Sequence, residues 1–337
     1  MYKNIIILTD FLGFLRRDNH QCSSLNLNRI VKILESNGFY CNTLSFKDIA
    51  ARDNVIKNCF IWYTSSEFPS YKNYIEDILL SLDKSNILIP HFDFIRAHNN
   101  KGYQALIRKR YGISDLDSIY IGTLEELYSL KHEINFPVVL KTVIGSGSKG
   151  VKLIKNFSEL GKIIKRQSRS KNYLSKFAKK ILKRYVFKGR YDYENSLESL
   201  HYYNFILQRF IPGLKDDWKI LVFYDNFYVL KRGIRKGDFR ASGSGKFSYD
   251  EFNVNVLDFC EQIKKKFNVP WLSLDVGFDG KKCYLFEYQM LHFGPIAFKK
   301  SKYFYKKEKR DWKKVKQKSN LSEVYAKAFV KYIKENY

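Results

Sequence analysis

The first ninety residues alternate short apolar runs with amphipathic stretches. KNIIILTD carries four consecutive apolar residues, Ile5 to Leu8, between polar flanks, the pattern of a strand buried on both faces of a parallel sheet. SSLNLNRIVKILESNGF then sets Leu27, Ile30, Val31, Ile33 and Leu34 at helical spacing, with Ser23 or Ser24 to cap the start and Gly38 to stop it. YCNTLSF, NCFIWYT and NILIPHF read as further strands, with YIEDILLSL as a helix between the last two. Alternation of this kind predicts an α/β unit with a mainly parallel sheet over residues 1–90.

Beyond it the pattern changes. In FPVVLKTVIGSGSKGVKLI, residues 136–154, PVVLK and GVKLI predict two strands, and TVIGSGSK between them is too rich in glycine to form an element of its own. Glycines let backbone N–H groups approach phosphate oxygens, and Lys141 and Lys149 would bring positive charge to them; an ordinary β-hairpin turn fits the same residues. The spacing matches neither GxxxxGKS/T nor GxGxxG, so neither a Walker loop nor a dinucleotide fingerprint is present. Further on, SLDVGFDGKKCYLFEYQ predicts two strands across the turn FDGKK, with Asp275 on the first and Glu287 and Gln289 on the second. Residues two apart on a strand share a face, so Glu287 and Gln289 point one way and Tyr288 the other. Two carboxylates and an amide oxygen converging there are hard oxygen ligands of the kind that hold Mg²⁺ against phosphates, or they are exposed charges with no further role.

Composition changes the picture in one respect. Lys and Arg number 60 against 34 Asp and Glu, a formal +26, which favours a polyanionic partner: nucleic acid, an anionic membrane face or an acidic polymer. The excess is uneven, with twelve basic residues and no acidic one over 160–191, and eleven against two over 299–318. A codon bias toward Lys, Asn, Ile, Tyr and Phe would produce part of it without any binding role. SKFAKKILKRYVF places Phe177, Ile181, Leu182 and Tyr185 at helical spacing among lysines and arginines, and this basic amphipathic helix either packs its apolar side or meets an anionic lipid or glycan surface. No apolar run approaches the roughly 20 residues of a membrane span, and no signal-peptide segment opens the sequence, which places the protein in the cytoplasm, with peripheral association at the inner membrane face left open. Five cysteines (Cys22, Cys41, Cys59, Cys260, Cys283) without CxxC spacing indicate inert thiols rather than disulfides or zinc.

Taken in order, an Asn100–Lys101 pair before a helix, PVVLK, GSGSKGV, the strand ILQRFIPG, the D-x-K strand DWKILVF and the closing D-x11-E-x-Q resemble the ATP-grasp superfamily over about residues 85–298. The resemblance implies an α/β N-terminal domain followed by an α+β ATP-grasp fold whose two subdomains clasp ATP. The corresponding divisions are 1–90, 91–205 with the glycine-rich lid and the basic insertion 160–191, and 206–337 with the metal residues and a basic tail. The metal triplet and D-x-K strand look most like the glutamate-ligating enzymes of ribosomal protein tails and glutathione synthesis. HFDFIRAHNNKGYQ, GDFRASGSGKF and EYQMLHFGP look similar to ATP-grasp proteins of bacterial surface-polysaccharide gene sets.

By that resemblance, Lys101 and Lys141 hold the α- and β-phosphates, and Gly145, Ser146, Gly147, Lys149 and Gly150 form the lid. Gln208 faces the adenine amino group with the Phe210 and Ile211 backbone along the ring edge, and Asp217, or Asp216 beside it, meets the ribose. Asp275, Glu287 and Gln289 bind two Mg²⁺, while Arg232 and Arg240 hold the acylphosphate and the later oxyanion. His292 is a candidate base. There are two departures: Gln289 replaces the usual Asn, and Lys219 stands where the glutamate ligases have Arg, which removes a bidentate fork for the acceptor carboxylate. The implied activity is an ATP-dependent carboxylate–amine ligase with an acylphosphate intermediate, joining a small-molecule or glycan-linked carboxylate to an amine, with a surface-polysaccharide precursor or sugar acid as substrate. The alternatives are a ligase of acidic peptides, kinase-type phosphoryl transfer, and a non-enzymatic protein that binds membrane or, less readily, nucleic acid.

Overall fold

A computed structural model describes residues 2–15, 25–51, 56–145, 150–169, 173–185, 199–235, 237–241, 243–249, 251–291 and 293–337. The chain forms two compact units: the first comprises Met1–Asn100, Ile107–Asp115 and Gly213–Tyr337, the second Lys101–Leu106 and Leu116–Pro212.

In the first unit, β1 (Asn4–Thr9), β2 (Tyr40–Ser45), β3 (Phe60–Tyr63) and β4 (Ile87–Ile89) make a parallel sheet in the order β2-β1-β3-β4. Ile5 to Leu8 are buried on both faces of β1, as the apolar run predicts. The helix Leu27–Ser36 starts later than expected. Its N-cap is Asn26, whose Oδ1 accepts from Arg29 N at 3.0 Å, and Ser23 and Ser24 lie outside the described residues.

The second unit holds an antiparallel sheet of β5 (Ser118–Thr123), β6 (Val138–Thr142), β7 (Val151–Ile154) and β8 (Tyr202–Arg209), in the order β5-β8-β6-β7. The predicted PVVLK/GVKLI hairpin is β6–β7. The helix Phe157–Gln167 presses Leu160 and Ile164 onto Leu140, Ile154 and Phe205 to form the core. The helix Tyr173–Tyr185 forms where its periodicity predicts, but Phe177, Ile181, Leu182 and Tyr185 stay exposed instead of joining that core.

The remainder of the first unit is a seven-stranded sheet of β9 (Asp216–Phe223), β10 (Asn226–Gly233), β11 (Phe247–Ser248), β12 (Trp271–Phe278), β13 (Cys283–Gln289), β14 (Tyr303–Glu308) and β15 (Asp311–Lys316). Its order is β13-β12-β9-β10-β14-β15, with β11 on β10. One core joins it to the parallel sheet: Trp62 of β3 lies 4.9 Å from Trp271 of β12 and 4.8 Å from Phe329 of the helix Leu321–Asn336, ring centre to ring centre. Among the described residues no helix is long and apolar enough to cross a membrane.

Cys41, Cys59, Cys260 and Cys283 are free thiols, and Cys22 lies outside the described residues. Burial pushes Cys260 well above the ordinary thiol range, and burial followed by the charge of Asp279 pushes Cys283 up to about 12. A thiol at about 12 is thiolate in only about one molecule in ten thousand at pH 8. Ellman's reagent at pH 8 should therefore modify Cys260 and Cys283 only as the protein unfolds, and rapid labelling of either in the native protein, mapped by mass, would contradict their burial.

Candidate active site

Each unit by itself holds a cluster of charged side chains. In the second, antiparallel pairing sets Gln208 of β8 opposite Val139 of β6, so Lys141, two residues on, reaches it diagonally: Lys141 Nζ donates to Gln208 Oε1 at 2.5 Å. Gln208 is buried and also pairs with Ser118 of β5, whose Oγ lies 3.5 Å from its Nε2. Lys101, buried at the start of the helix Lys101–Arg110, donates from Nζ to Gly145 O at 2.5 Å, and its backbone N–H bonds Val143 O at 3.1 Å. Two lysines, Lys101 buried and Lys141 half-buried, thus gather around the end of β6 where the glycine loop departs. Gly150, on the return, has φ +78°, and a Cβ there would lie 2.5 Å from Thr142 Oγ1 and 2.7 Å from its Cγ2. Gly150→Ala should cost about 1–3 kcal/mol through both strain and contact; denaturant titration should show it, and an unchanged midpoint would contradict this hairpin geometry. Ser146, Gly147 and Lys149 lie outside the described residues.

In the first unit, register aligns one row of charges across four strands. Arg232 of β10 pairs with Asp217 of β9, Lys219 of β9 with Asp275 of β12, and Asp275 with Glu287 of β13. Arg232 Nε donates to Asp217 Oδ1 at 2.5 Å, and its Nη2 lies 3.0 Å from Asp275 Oδ2. Lys219 Nζ donates to Asp275 Oδ1 at 3.1 Å, so each Asp275 oxygen meets a different cation. Glu287 and Gln289 share a face, with Gln289 Nε2 3.5 Å from Glu287 Oε1, and Tyr288 is buried on the other. A bulge between Asp275 and Val276 leaves Phe286 as the extra residue of β13. Its ring covers Gly277, where a Cβ would fall 2.4 Å from Phe286 Cζ.

The row is electrostatically interlocked. Burial alone would raise the Asp275 carboxyl, but Arg232 and Lys219 outweigh it and hold Asp275 well below the usual carboxylate range. Asp217 goes the other way: burial raises it to about 6, with Asp275 adding to the rise and Arg232 and Lys219 opposing it. Burial works against the Arg232 charge, yet the two aspartates more than compensate and its guanidinium stays firmly protonated.

The structure brings Lys101 and Lys141 to one end of the second unit's sheet, and Asp217, Arg232, Asp275, Glu287 and Gln289 to one stretch of the first unit's. Phe210 and Ile211 follow β8 directly, half-buried. Arg240 pairs through Nε and Nη2 with Asp238 at 2.6–3.0 Å. Asp216 pairs with Lys231 at 3.4 Å and not with Arg232. His292 lies outside the described residues. Among the described residues no group of three or more His, Cys, Asp or Glu is placed to hold a metal, so any metal here depends on the Gln289 amide oxygen beside two carboxylates. Sequence reasoning underrated Lys219, treated only as a replaced arginine; its signal was the D-x-K spacing, which puts Asp217 and Lys219 on one face of β9.

Residues 107–190 match the family described as carbamoyl-phosphate synthase L chain, ATP binding domain. No curated protein sequence matches the chain. Among solved structures, D-cycloserine synthetase DcsG superposes over 97% of this chain and 99% of its own, with a TM-score of 0.54 and 10% identity. A D-alanine–D-alanine ligase from Bacillus anthracis matches over 98% and 96% with a TM-score of 0.47 and 14% identity. A RimK domain ATP-grasp protein from Sphaerobacter thermophilus matches over 88% and 94% with a TM-score of 0.46 and 12% identity. The matched ATP-binding segment thus lies within a chain that has the ATP-grasp fold.

Proposed function

We propose that the protein is an ATP-dependent carboxylate–amine ligase. The observation that carries the reading is the row Asp217–Arg232–Asp275–Lys219, which fixes two cations beside the oxygen ligands Glu287 and Gln289. A carboxylate attacking a phosphate meets like charge, and fixed cations lower that barrier without reorganising during the reaction. The substrate carboxylate oxygen bonds to the γ-phosphorus as the bond to the bridging oxygen breaks and ADP leaves. A neutral amine then attacks the acyl carbon, the C–O bond to phosphate breaks, and nitrogen gives up a proton. In this reading Arg232 and Lys219 neutralise charge on the acyl phosphate, Lys101 and Lys141 hold the α- and β-phosphates, Gln208 faces the adenine amino group and Asp217 the ribose.

Asp275, Glu287 and Gln289 fit Mg²⁺ by donor chemistry. All three offer hard oxygens, and each Asp275 oxygen, although it accepts from one cation, retains a further lone pair. Mg²⁺ bound there would supply positive charge against the phosphates. For the substrate we propose a surface-polysaccharide precursor or sugar acid, supported by the similarity of HFDFIRAHNNKGYQ, GDFRASGSGKF and EYQMLHFGP and by the +26 charge. An ADP-release screen over amino acids and uronic-acid sugars tests the proposal. ADP release that needs both an acid and an amine, with an amide-mass product, is expected; release driven by a hydroxyl compound with no carboxylate would replace it with phosphoryl transfer.

A further inference from the structure

The helix Tyr173–Tyr185 stands apart from the other amphipathic helix of its unit. Phe157–Gln167 sends Leu160 and Ile164 into the core, whereas Tyr173–Tyr185 exposes Phe177, Ile181, Leu182 and Tyr185 by 44%, 43%, 47% and 65%. At positions i, i+4, i+5 and i+8 these four form one stripe, while the other large apolar side chains exposed among the described residues are spread over many elements. Exposed single apolar residues are ordinary; a stripe of four on one helix marks a contact surface. Lys176 and Lys179 are exposed beside it. The sequence around it, residues 160–191, holds twelve basic residues and no acidic one, a charge balance that favours a negative partner.

We propose that this helix docks on an anionic membrane surface, its stripe entering the boundary of headgroups and acyl chains and its lysines meeting lipid phosphates. Charge alone would serve any polyanion. The apolar stripe selects a lipid surface, because a soluble glycan or nucleic acid offers no apolar layer in which Ile181 and Leu182 lose water. The membrane contact rests on the helix alone and is independent of the ligase assignment.

The test is sedimentation of the full-length protein with vesicles of phosphatidylcholine containing about 30 mol % phosphatidylglycerol, against phosphatidylcholine alone. The native protein should partition at least about tenfold better to the anionic vesicles and lose that advantage as salt rises. Lys176→Gln with Lys179→Gln should weaken binding about twenty-five-fold, at about fivefold per charge. Ile181→Asp with Leu182→Asp should abolish it with an unchanged melting temperature, since neither side chain belongs to the core. Equal partitioning to neutral and anionic vesicles at low salt would overturn the proposal. So would native-like vesicle binding by the double aspartate variant, or binding to heparin or RNA tighter than to anionic vesicles and unaffected by that variant.

Discussion

Glu287→Gln is expected to slow ATP-dependent ligation about a thousandfold or more while moving the melting temperature little. The amide keeps the size of the side chain but removes the charge that would hold a divalent cation against phosphates, and loss of several kcal/mol of transition-state stabilisation corresponds to that factor. Glu287 is half-buried at the end of the charge row, so its neutralisation breaks none of the Arg232, Asp217, Asp275 and Lys219 bonds. Initial rates of ADP release at saturating ATP, alongside thermal denaturation, check both halves. A variant with near-native turnover would remove Glu287 from the chemistry.

Arg232→Met should be costly to stability itself. The Arg232 side chain is 8% exposed and lies between Asp217 and Asp275, so a neutral replacement leaves two carboxylates facing each other with Lys219 as their remaining cation in the row. Breaking a buried pair from one side costs on the order of 3–5 kcal/mol. The loss should depend on pH in a defined direction. Asp217, raised from 3.8 to about 6, takes up a proton on folding between those values, so its contribution to stability declines as pH rises through that window and stays low above it. Asp275, held below its ordinary range, contributes in the opposite sense, and its share is lost as pH falls below about 4. Without Arg232, Asp217 should rise further, so the deficit measured by urea denaturation at pH 7.5 should shrink at pH 5.5. A deficit that grows on acidification across this range would contradict the arrangement.

How much of this was legible in the sequence differs from element to element. The parallel strands β1 and β3 were readable because strands buried on both faces are written as unbroken apolar runs, Ile5–Leu8 and Phe60–Tyr63, whereas the edge strand β2 is mostly exposed or half-buried and carries no such run. The hairpin carrying Asp275 and Glu287 was readable from the turn FDGKK, where Asp279 Oδ1 accepts from the N–H groups of Lys281 and Lys282 at 2.8 and 2.7 Å; that register alone would set Asp275 opposite Phe286, and the bulge before Val276 moves it to Glu287. The start of the first helix was not, since Ser23, Ser24 and Asn26 are all competent caps and local sequence does not rank them. Nor was the division of labour between Arg232 and Arg240. Both sit in one arginine-rich segment, and only the pairing of β10 with β9 puts Arg232 opposite Asp217, whereas Asp238, two residues away, claims Arg240. The exposure of the Tyr173–Tyr185 stripe also lay beyond periodicity, which marks a face as apolar but not what covers it.

The central claim is that the carboxylate of the substrate is activated by phosphate before the amine attacks. Once the screen has identified an acid and amine pair, the most direct measurement is isotope transfer with the acid labelled by ¹⁸O in both carboxylate oxygens. An acylphosphate route places one labelled oxygen in each inorganic phosphate released, in step with ADP and amide, and leaves the other in the amide carbonyl. Amide formation with unlabelled phosphate would contradict the account.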